Sequence, residues 1–338
     1  MNRPLRVRAD ADDGGPVWDP APGTQLLPGL LAWRRLAVGY RRETWLCWSV
    51  EHWEALLVKL VRPGWARPRS TAALDREVRA LRRLNHPAFP HLIADGTRAE
   101  LPHLVTDYFN GPALDEEIAD RGPLDAEEIA NLAVNLLAAI RYLHSTGTAH
   151  LDISPDNVVT VGYQGRLIDL GASRRLGSRL GRGTPIGTDG YVAPELAGWP
   201  GAEITPALDV YGVGATLRRA LAPDGDPEGV VTPLIDRLTA ADPGDRPTPD
   251  AALASFVRHA GSRASRPWPW WGDRHLARNT GAPPAPAGLD RLRPVPAPVR
   301  SVPAPPVSGR TTAVPARAAA PSRAAAPSRA AADSRAGG

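Results

Sequence analysis

The apolar pattern of this 338-residue chain changes period near residue 111 and collapses near residue 262. Between 29 and 110 it comes in short runs, "WRRLAVGY", "TWLCWSV", "ALLVKLV" and "PHLVTDYF". Their Trp, Val and Leu residues half-alternate, as strand residues do when one face is buried. One helical segment interrupts them: "STAALDREVRALRRL" sets Leu74, Val78 and Leu81 on one face, with Ser70 or Thr71 as its cap. From 111 to 260 the pattern is helical. "LDAEEIANLAVNLLAAIRYLH" opens with Asp125 and, three residues on, Glu128, which is a capping box. "TPALDVYGVGATLRRAL" opens with Thr205 as cap and Pro206 at the first helical position. Strands gathered before helices, rather than alternating with them, predict an α+β fold.

The two ends differ from this middle. Residues 1–28 are rich in Pro, Gly and Asp and read as a flexible N-terminal arm. Residues 262–338 reduce to Ala, Pro, Arg and Ser, with a hexapeptide repeat ("PARAAA", "PSRAAA", "PSRAAA"). Too few large apolar side chains remain there to offset the entropy of ordering, so a disordered tail is expected. Within it "RPWPWWGDRH" carries Trp268, Trp270 and Trp271, an island that either binds a partner or docks back on the folded part. The tail holds 12 Arg and 3 Asp, so it is the tail that sets the pI of about 9.6. The remainder is mildly acidic and shows no basic stripe, so no nucleic-acid partner is expected.

With 43% hydrophobic residues the chain can bury a sizeable core. Its one cysteine, Cys47, excludes an intrachain disulfide and reads as a core residue. The N-terminus lacks the apolar region of a signal peptide. The longest apolar stretch carries Asn131, Asn135 and Arg141 at helical spacing, too polar and too short for a transmembrane segment. A cytoplasmic protein is expected.

Residues 147–200 form a loop-rich centre between the helical segments, where chemistry tends to sit. "HLDISPDNVV" sets His150, Asp152 and Asn157 in an H-x-D-x-x-x-x-N pattern, and "LIDLGAS" follows a hairpin-like stretch and carries Asp169. Phosphoryl transfer from ATP needs a carboxylate to orient a hydroxyl and take its proton. It also needs a carboxylate and an amide oxygen to hold Mg²⁺. Asp152 suits the first role, and Asp169 and Asn157 the second, if two short strands bring the segments together. A fourth residue stands out. Of 40 Lys and Arg residues only Lys59 is a lysine, and it lies in a strand candidate. A compact ammonium reaches phosphate oxygens where a planar guanidinium fork does not fit.

Together these segments resemble the protein kinase family over roughly residues 30–260. Lys59 in "LLVK" matches the strand lysine, Glu77 in "DREVRAL" its helix glutamate, "HLDISPDN" the catalytic loop and "DLG" the metal-binding triplet. "GTDGYVAPE" matches the end of an activation segment, and Asp209 and Arg246 match two structural anchors. The resemblance implies a bilobal fold, with a small β-rich lobe carrying one helix over 29–109 and a larger helical lobe over 110–261. It implies ATP and Mg²⁺ as cofactors and a protein substrate. Asp152, Lys59, Asn157 and Asp169 would be catalytic, with Asn157 and Asp169 on the metal. Lys59, Glu77, Gly39, Leu57, Asp107 and Phe109 would hold the nucleotide. Thr188 matches the threonine that favours Ser/Thr substrates. His150, and the Arg246–Glu195 and Asp209 contacts, are expected to be structural.

The chain departs from the family at several positions. Aligned to G-x-G-x-x-G, "AVGYRR" keeps only Gly39, with Ala37 and Arg42 at the other glycine positions, Arg42 being able to supply charge instead. Thr44 and Leu57 stand where Val and Ala usually roof the adenine. Leu151 replaces an arginine that reads phosphorylated activation loops, and Ser154 a lysine that contacts the transferring phosphate. Loss of that lysine implies either slower transfer or a shift of the role to an arginine of the activation segment, such as Arg174 or Arg182. The stretch from Asp209 to Arg246 is short. Three readings stand: a bacterial-type Ser/Thr kinase, a kinase-fold scaffold with weak transfer, and a small-molecule phosphotransferase. The tail serines Ser322, Ser328 and Ser334, each before an arginine, are candidate autophosphorylation sites.

Overall fold

Alternation along one strand shows how the sheet is built. In Glu54–Val61, Leu56, Val58 and Leu60 pack into an apolar cluster with Trp45, Cys47 and Val105. Leu57 and Lys59 point the other way, into a cleft, and Val61 packs under a helix with Leu74, Val78 and Leu104. That is the two-residue period of a strand covered differently on its two faces. These relationships come from a computed structural model that describes residues 5–9, 15–64, 67–162, 164–181, 186–197 and 201–260. The tail over 262–338, with its tryptophan island and serines, lies outside the described residues, as does Arg182.

In chain order the strands of the first half are β1 (Val7–Ala9), β2 (Pro16–Trp18), β3 (Gln25–Leu27), β4 (Leu30–Val38), β5 (Arg42–Ser49), β6 (Glu54–Val61), β7 (Leu92–Gly96) and β8 (His103–Asp107). Helix α1 (Arg67–Leu81) lies between β6 and β7. Six of the strands form one antiparallel sheet in the order β3-β4-β5-β6-β8-β7, and β1 pairs with β2. Helix α1 begins before the expected cap at Ser70 or Thr71. Pro68 sits in its first turn, where a missing N–H costs nothing.

Part of the segment read as a loose arm is instead built into the fold. Val17, Leu26 and Leu27 are buried. Trp18 donates from its backbone N to Glu43 Oε1 and from its indole Nε1 to the Val61 carbonyl, both at 2.8 Å. Four apolar side chains between the prolines and glycines supply the burial that an average over 1–28 conceals.

The second half is helical: α2 (Leu114–Arg121), α3 (Ala126–Ser145), α4 (Pro194–Ala197), α5 (Pro206–Ala220), α6 (Thr232–Leu238) and α7 (Pro249–Val257). The capping box at α3 forms as read. Asp125 Oδ1 accepts from Glu128 N at 2.9 Å, and Glu128 Oε2 accepts from Asp125 N at 3.1 Å. Such a cap contributes about 1 kcal/mol. The apolar face matters more, since each fully buried Leu or Ile contributes roughly 1.5–3 kcal/mol. Leu136, Leu137, Ile140 and Leu143 of α3 share a core with Val213 and Leu217 of α5, Ile235 of α6 and Phe256 of α7. Thr205 holds the cap position of α5 without a side-chain bond, and Pro206 follows it. No helix of the described residues is long and apolar enough to cross a membrane.

Four short strands carry the loop-rich centre: β9 (Thr148–Ala149), β10 (Val158–Val161), β11 (Gln164–Leu167) and β12 (Arg174–Arg175). β10 and β11 pair antiparallel with Val158 opposite Leu167, and β12 pairs with β9. This hairpin brings the two motifs together. Ile168 N donates to the Asn157 carbonyl at 3.0 Å, so Asp169 begins the next turn beside Asn157.

Candidate active site

A cleft of about 350 Å³ opens between the sheet and the helices. Its apolar lining includes Leu36, Ala37, Leu57, Phe109 and Val159. Lys59, Glu77, Asn157 and Asp169 supply the polar side. A mostly apolar cavity of this size with a few convergent polar groups is what a small organic ligand requires.

The polar side is organised around the one lysine. Lys59 Nζ lies 2.7 Å from Glu77 Oε1 and 3.2 Å from Asp169 Oδ2. β6 supplies Lys59, α1 supplies Glu77, and the turn after β11 supplies Asp169, so the triad ties three elements at one point. Asp169 adopts a left-handed backbone (φ 60°, ψ 77°) and accepts from Gly171 N at 3.0 Å. The helix is fastened to the same turn by Arg76, whose Nε donates to the Gly171 carbonyl at 2.8 Å.

Charge states follow from these contacts. Burial alone would raise Asp169, yet Lys59, Arg42 and the Gly171 amide hold its carboxyl well below the usual range. Burial alone would lower Lys59, but Asp169 and Glu77 outweigh it and keep the ammonium above its ordinary value. Glu77 is pushed up by burial against the pull of Lys59. Asp169 is thus ionised and Lys59 charged across the physiological range.

Asp152 stands apart from the cleft lining and is held by two neighbours. Thr188 Oγ1 donates to its Oδ1 at 2.7 Å, and Asn157 Nδ2 donates to its carbonyl at 2.9 Å. His150 is fully buried and serves the loop. Its Nδ1 accepts from Asp152 N at 3.3 Å, and its Nε2 lies 3.2 Å from the Ile168 carbonyl. Asp209 is a scaffold, accepting from His150 N and Leu151 N at 2.8 Å each and contacting His144 Nε2 at 2.7 Å. Arg246 grips Glu195 with both ends of its guanidinium, at 2.6 and 2.8 Å. Burial pushes the Cys47 thiol up to about 12, in keeping with a core residue.

The remaining residues read as nucleotide-binding fall in two places. Leu57, Asp107 and Phe109 line the cleft. The Asp107 carboxylate is engaged by His91 N at 2.7 Å and His91 Nδ1 at 2.9 Å, its own N–H donates to the His91 carbonyl at 3.2 Å, and its carbonyl accepts from Thr106 Oγ1 at 3.0 Å. Gly39 lies instead at an adjoining cavity, in the β4–β5 hairpin. Thr106 also lines the cleft, opposite Leu57 across β6 and β8, and was not singled out from the sequence. Its place two residues after Leu104, on the same face of β8, was the available signal. Leu151 packs with Leu180, Ala193 and Leu208 and takes positive φ (68°), so apolar contact holds this part of the activation segment. Ser154 is fully buried with an unpartnered Oγ, and the Arg174 guanidinium donates to the Ala172 and Ser173 carbonyls.

Residues 39–224, more than half of the chain, match the protein kinase domain. The chain is 32% identical over 165 residues to a probable serine/threonine-protein kinase, PkwA, of Thermomonospora curvata, covering 48% of this chain and 22% of that protein. It is 32% identical over 215 residues to the serine/threonine-protein kinase PknK of Mycobacterium tuberculosis, covering 54% and 19%. With AfsK of Streptomyces griseus, another serine/threonine-protein kinase, it shares 33% over 144 residues, covering 42% and 18%. The chain belongs to the protein kinase family. It spans about a fifth of the length of these curated relatives.

Proposed function

We propose that this chain is a serine/threonine protein kinase that transfers the γ-phosphoryl group of Mg-ATP to a protein hydroxyl. The observation that carries this reading is the Lys59–Glu77–Asp169 triad at the floor of the cleft. The residues suit the cofactor. The cleft offers an apolar slot for a base, and Asp169 and Asn157, an ionised carboxylate and an amide, both line it. Mg-ATP, when bound, supplies the phosphoryl group and a metal that neutralises its charge.

The chain's own groups divide the work. Lys59, held charged by Glu77, binds phosphate oxygens. Asp169 and the Asn157 amide oxygen would hold the divalent cation, since the Asn157 amide nitrogen is committed to the Asp152 carbonyl. Asp152, with Oδ1 fixed by Thr188, keeps its other oxygen to orient the acceptor hydroxyl and receive its proton. The serine/threonine relatives, and a match that runs on through the activation segment, support a protein substrate over a small aminoalcohol. Low turnover is favoured by one observation. Ser154 is buried where the family has a phosphate-contacting lysine, and Arg174 is tied to its own backbone. A nucleotide-regulated scaffold is therefore the second reading.

Transfer of labelled phosphate from Mg-ATP to a basic protein acceptor tests the proposal, with Asp152→Asn and Lys59→Met as controls. Label in the wild type that is lost in both variants supports the kinase. Absence of label, with ATP still raising the melting temperature, supports the scaffold.

A further inference from the structure

Beside the cleft lies a second cavity of about 410 Å³, which shares Ala37, Thr44, Lys59 and Asp169 with it. Its lining differs in charge. Arg41, Arg42, Arg76 and Lys59 face it against one carboxylate, Asp169. An apolar slot that opens into a cationic chamber suits a ligand with an uncharged aromatic end and a polyanionic end.

Arg42 is the residue in this chamber whose contacts are unfinished. It starts β5, and its Nη1 is buried without donating a hydrogen bond. The nearest carboxylate oxygen, Glu77 Oε2, is 4.0 Å away, beyond hydrogen-bond reach, and is itself buried and unbonded. A Cβ at Gly171 would come within 3.2 Å of Nη1, so the guanidinium rests on the turn that presents Asp169. Leaving a buried donor unmade costs about 1–3 kcal/mol, more for a charged one, and a ligand with acceptor oxygens removes that cost.

The hairpin beside it has no amide to offer at its one remaining glycine. Gly39 N donates to the Arg42 carbonyl at 2.8 Å, and the Gly39 carbonyl accepts from the buried Arg62 Nη1 at 3.1 Å. The turn is closed on itself and pinned from behind. With the Gly39 amide committed, a guanidinium with five donors is the group placed to meet an anion there.

We infer that Arg42 binds the phosphate chain of the nucleotide, replacing the backbone cradle of a glycine-rich loop and making affinity for this site depend on the polyphosphate more than on the base. The inference rests on the nucleotide reading of the cleft. In the absence of ligand Lys59 and Arg42 balance Glu77 and Asp169. A divalent cation, if held by Asp169, would take up that carboxylate's charge and leave Lys59 and Arg42 to face phosphate oxygens.

The test is calorimetric titration of the full chain, wild type, Arg42→Gln and Arg42→Lys, with ATP plus Mg²⁺, adenosine and tripolyphosphate. Thermal melts establish that each variant is folded. Arg42→Gln should weaken ATP and tripolyphosphate about tenfold or more and leave adenosine within about twofold. Arg42→Lys should recover part of the loss. Unchanged ATP affinity in Arg42→Gln would overturn the inference, as would an equal loss for ATP and adenosine, which would make Arg42 a shaper of the cleft. Wild type that binds tripolyphosphate through Arg42 but not adenosine or ATP would uphold the anion site and sink the kinase reading. Binding of neither ATP nor tripolyphosphate to the wild type would overturn both.

Discussion

Thr188 Oγ1 donates a 2.7 Å hydrogen bond to Asp152 Oδ1, so the activation segment orients the carboxylate of the catalytic loop directly. The two residues are 36 apart in sequence. Under the kinase reading, Thr188→Val leaves Asp152 free to rotate and should lower the rate of transfer by about tenfold to a hundredfold, the scale of a misplaced general base. Thr188→Ser keeps the hydroxyl and should stay near wild type. Steady-state transfer rates, with melting temperatures alongside, check this. A loss shared equally by Ser and Val would count against orientation as the cause.

Lys59→Met leaves Glu77 and Asp169 facing each other in a buried site, with Arg42, 4.0 Å from Glu77, as the neighbouring cation. Removing one partner of a buried pair costs about 3–5 kcal/mol. The cost has a pH signature. Glu77 already sits above its ordinary value through burial, and loss of Lys59 raises it further. The folded variant then binds protons more tightly than the unfolded chain, so its stability rises as pH falls. Denaturant melts should show the deficit against wild type shrinking between pH 8 and pH 5. A deficit constant with pH would mean that lost packing, not stranded charge, dominates.

Asp209 gives the opposite sign. Burial would raise it, but His144, His150 and the Leu151 amide hold it below the usual carboxylate range. Its stabilising contribution is present above the unfolded value of about 3.9 and is lost as pH falls through the lower folded value. Asp209→Asn turns one acceptor into a donor facing the catalytic-loop amides and should cost about 2–3 kcal/mol at pH 7. The variant and wild-type stability curves should converge below about pH 4. Parallel curves down to pH 2 would remove Asp209 from the acid transition.

Much of this site could be read from residue types in order, because each pairs a chemical need with a local pattern. Lys59 sits at a cleft-facing position of a strand, and Glu77 on a helix whose apolar face was visible as Leu74, Val78 and Leu81. The hairpin that delivers Asp169 to Asn157 was legible as a short strand pair between the two motifs. Arg42 was legible only as a possible charge, because the direction of a side chain beside a tight turn depends on how that turn closes. The N-terminal strands were missed for a different reason. At three residues each they are too short to show a period, and Trp18 bonds to Glu43 and Val61, 25 and 43 residues away, with no local signal.

Those N-terminal strands make a last prediction. Trp18 spans Glu43 and Val61, Arg62 spans the Pro16 and Gly39 carbonyls, and Glu43 and Arg62 are both buried. The clasp therefore backs the hairpin that carries Arg42. Trp18→Phe removes the indole bond to the Val61 carbonyl and part of the ring's packing, and should cost about 1–2 kcal/mol. Deleting residues 1–28 uncovers the apolar cluster beside β4, takes the Trp18 N–H from the buried Glu43 carboxylate and takes the Pro16 carbonyl from the buried Arg62 guanidinium. That should cost more than 3 kcal/mol, the scale of a broken buried charge network. Equilibrium denaturation of both variants distinguishes a structural clasp from a dispensable arm, since deletion of a dispensable arm leaves the midpoint where it was. Hydrogen exchange at Gly39 gives the local readout. Its amide is bonded to the Arg42 carbonyl, and it should lose protection in the truncated chain before the amides of β6 do.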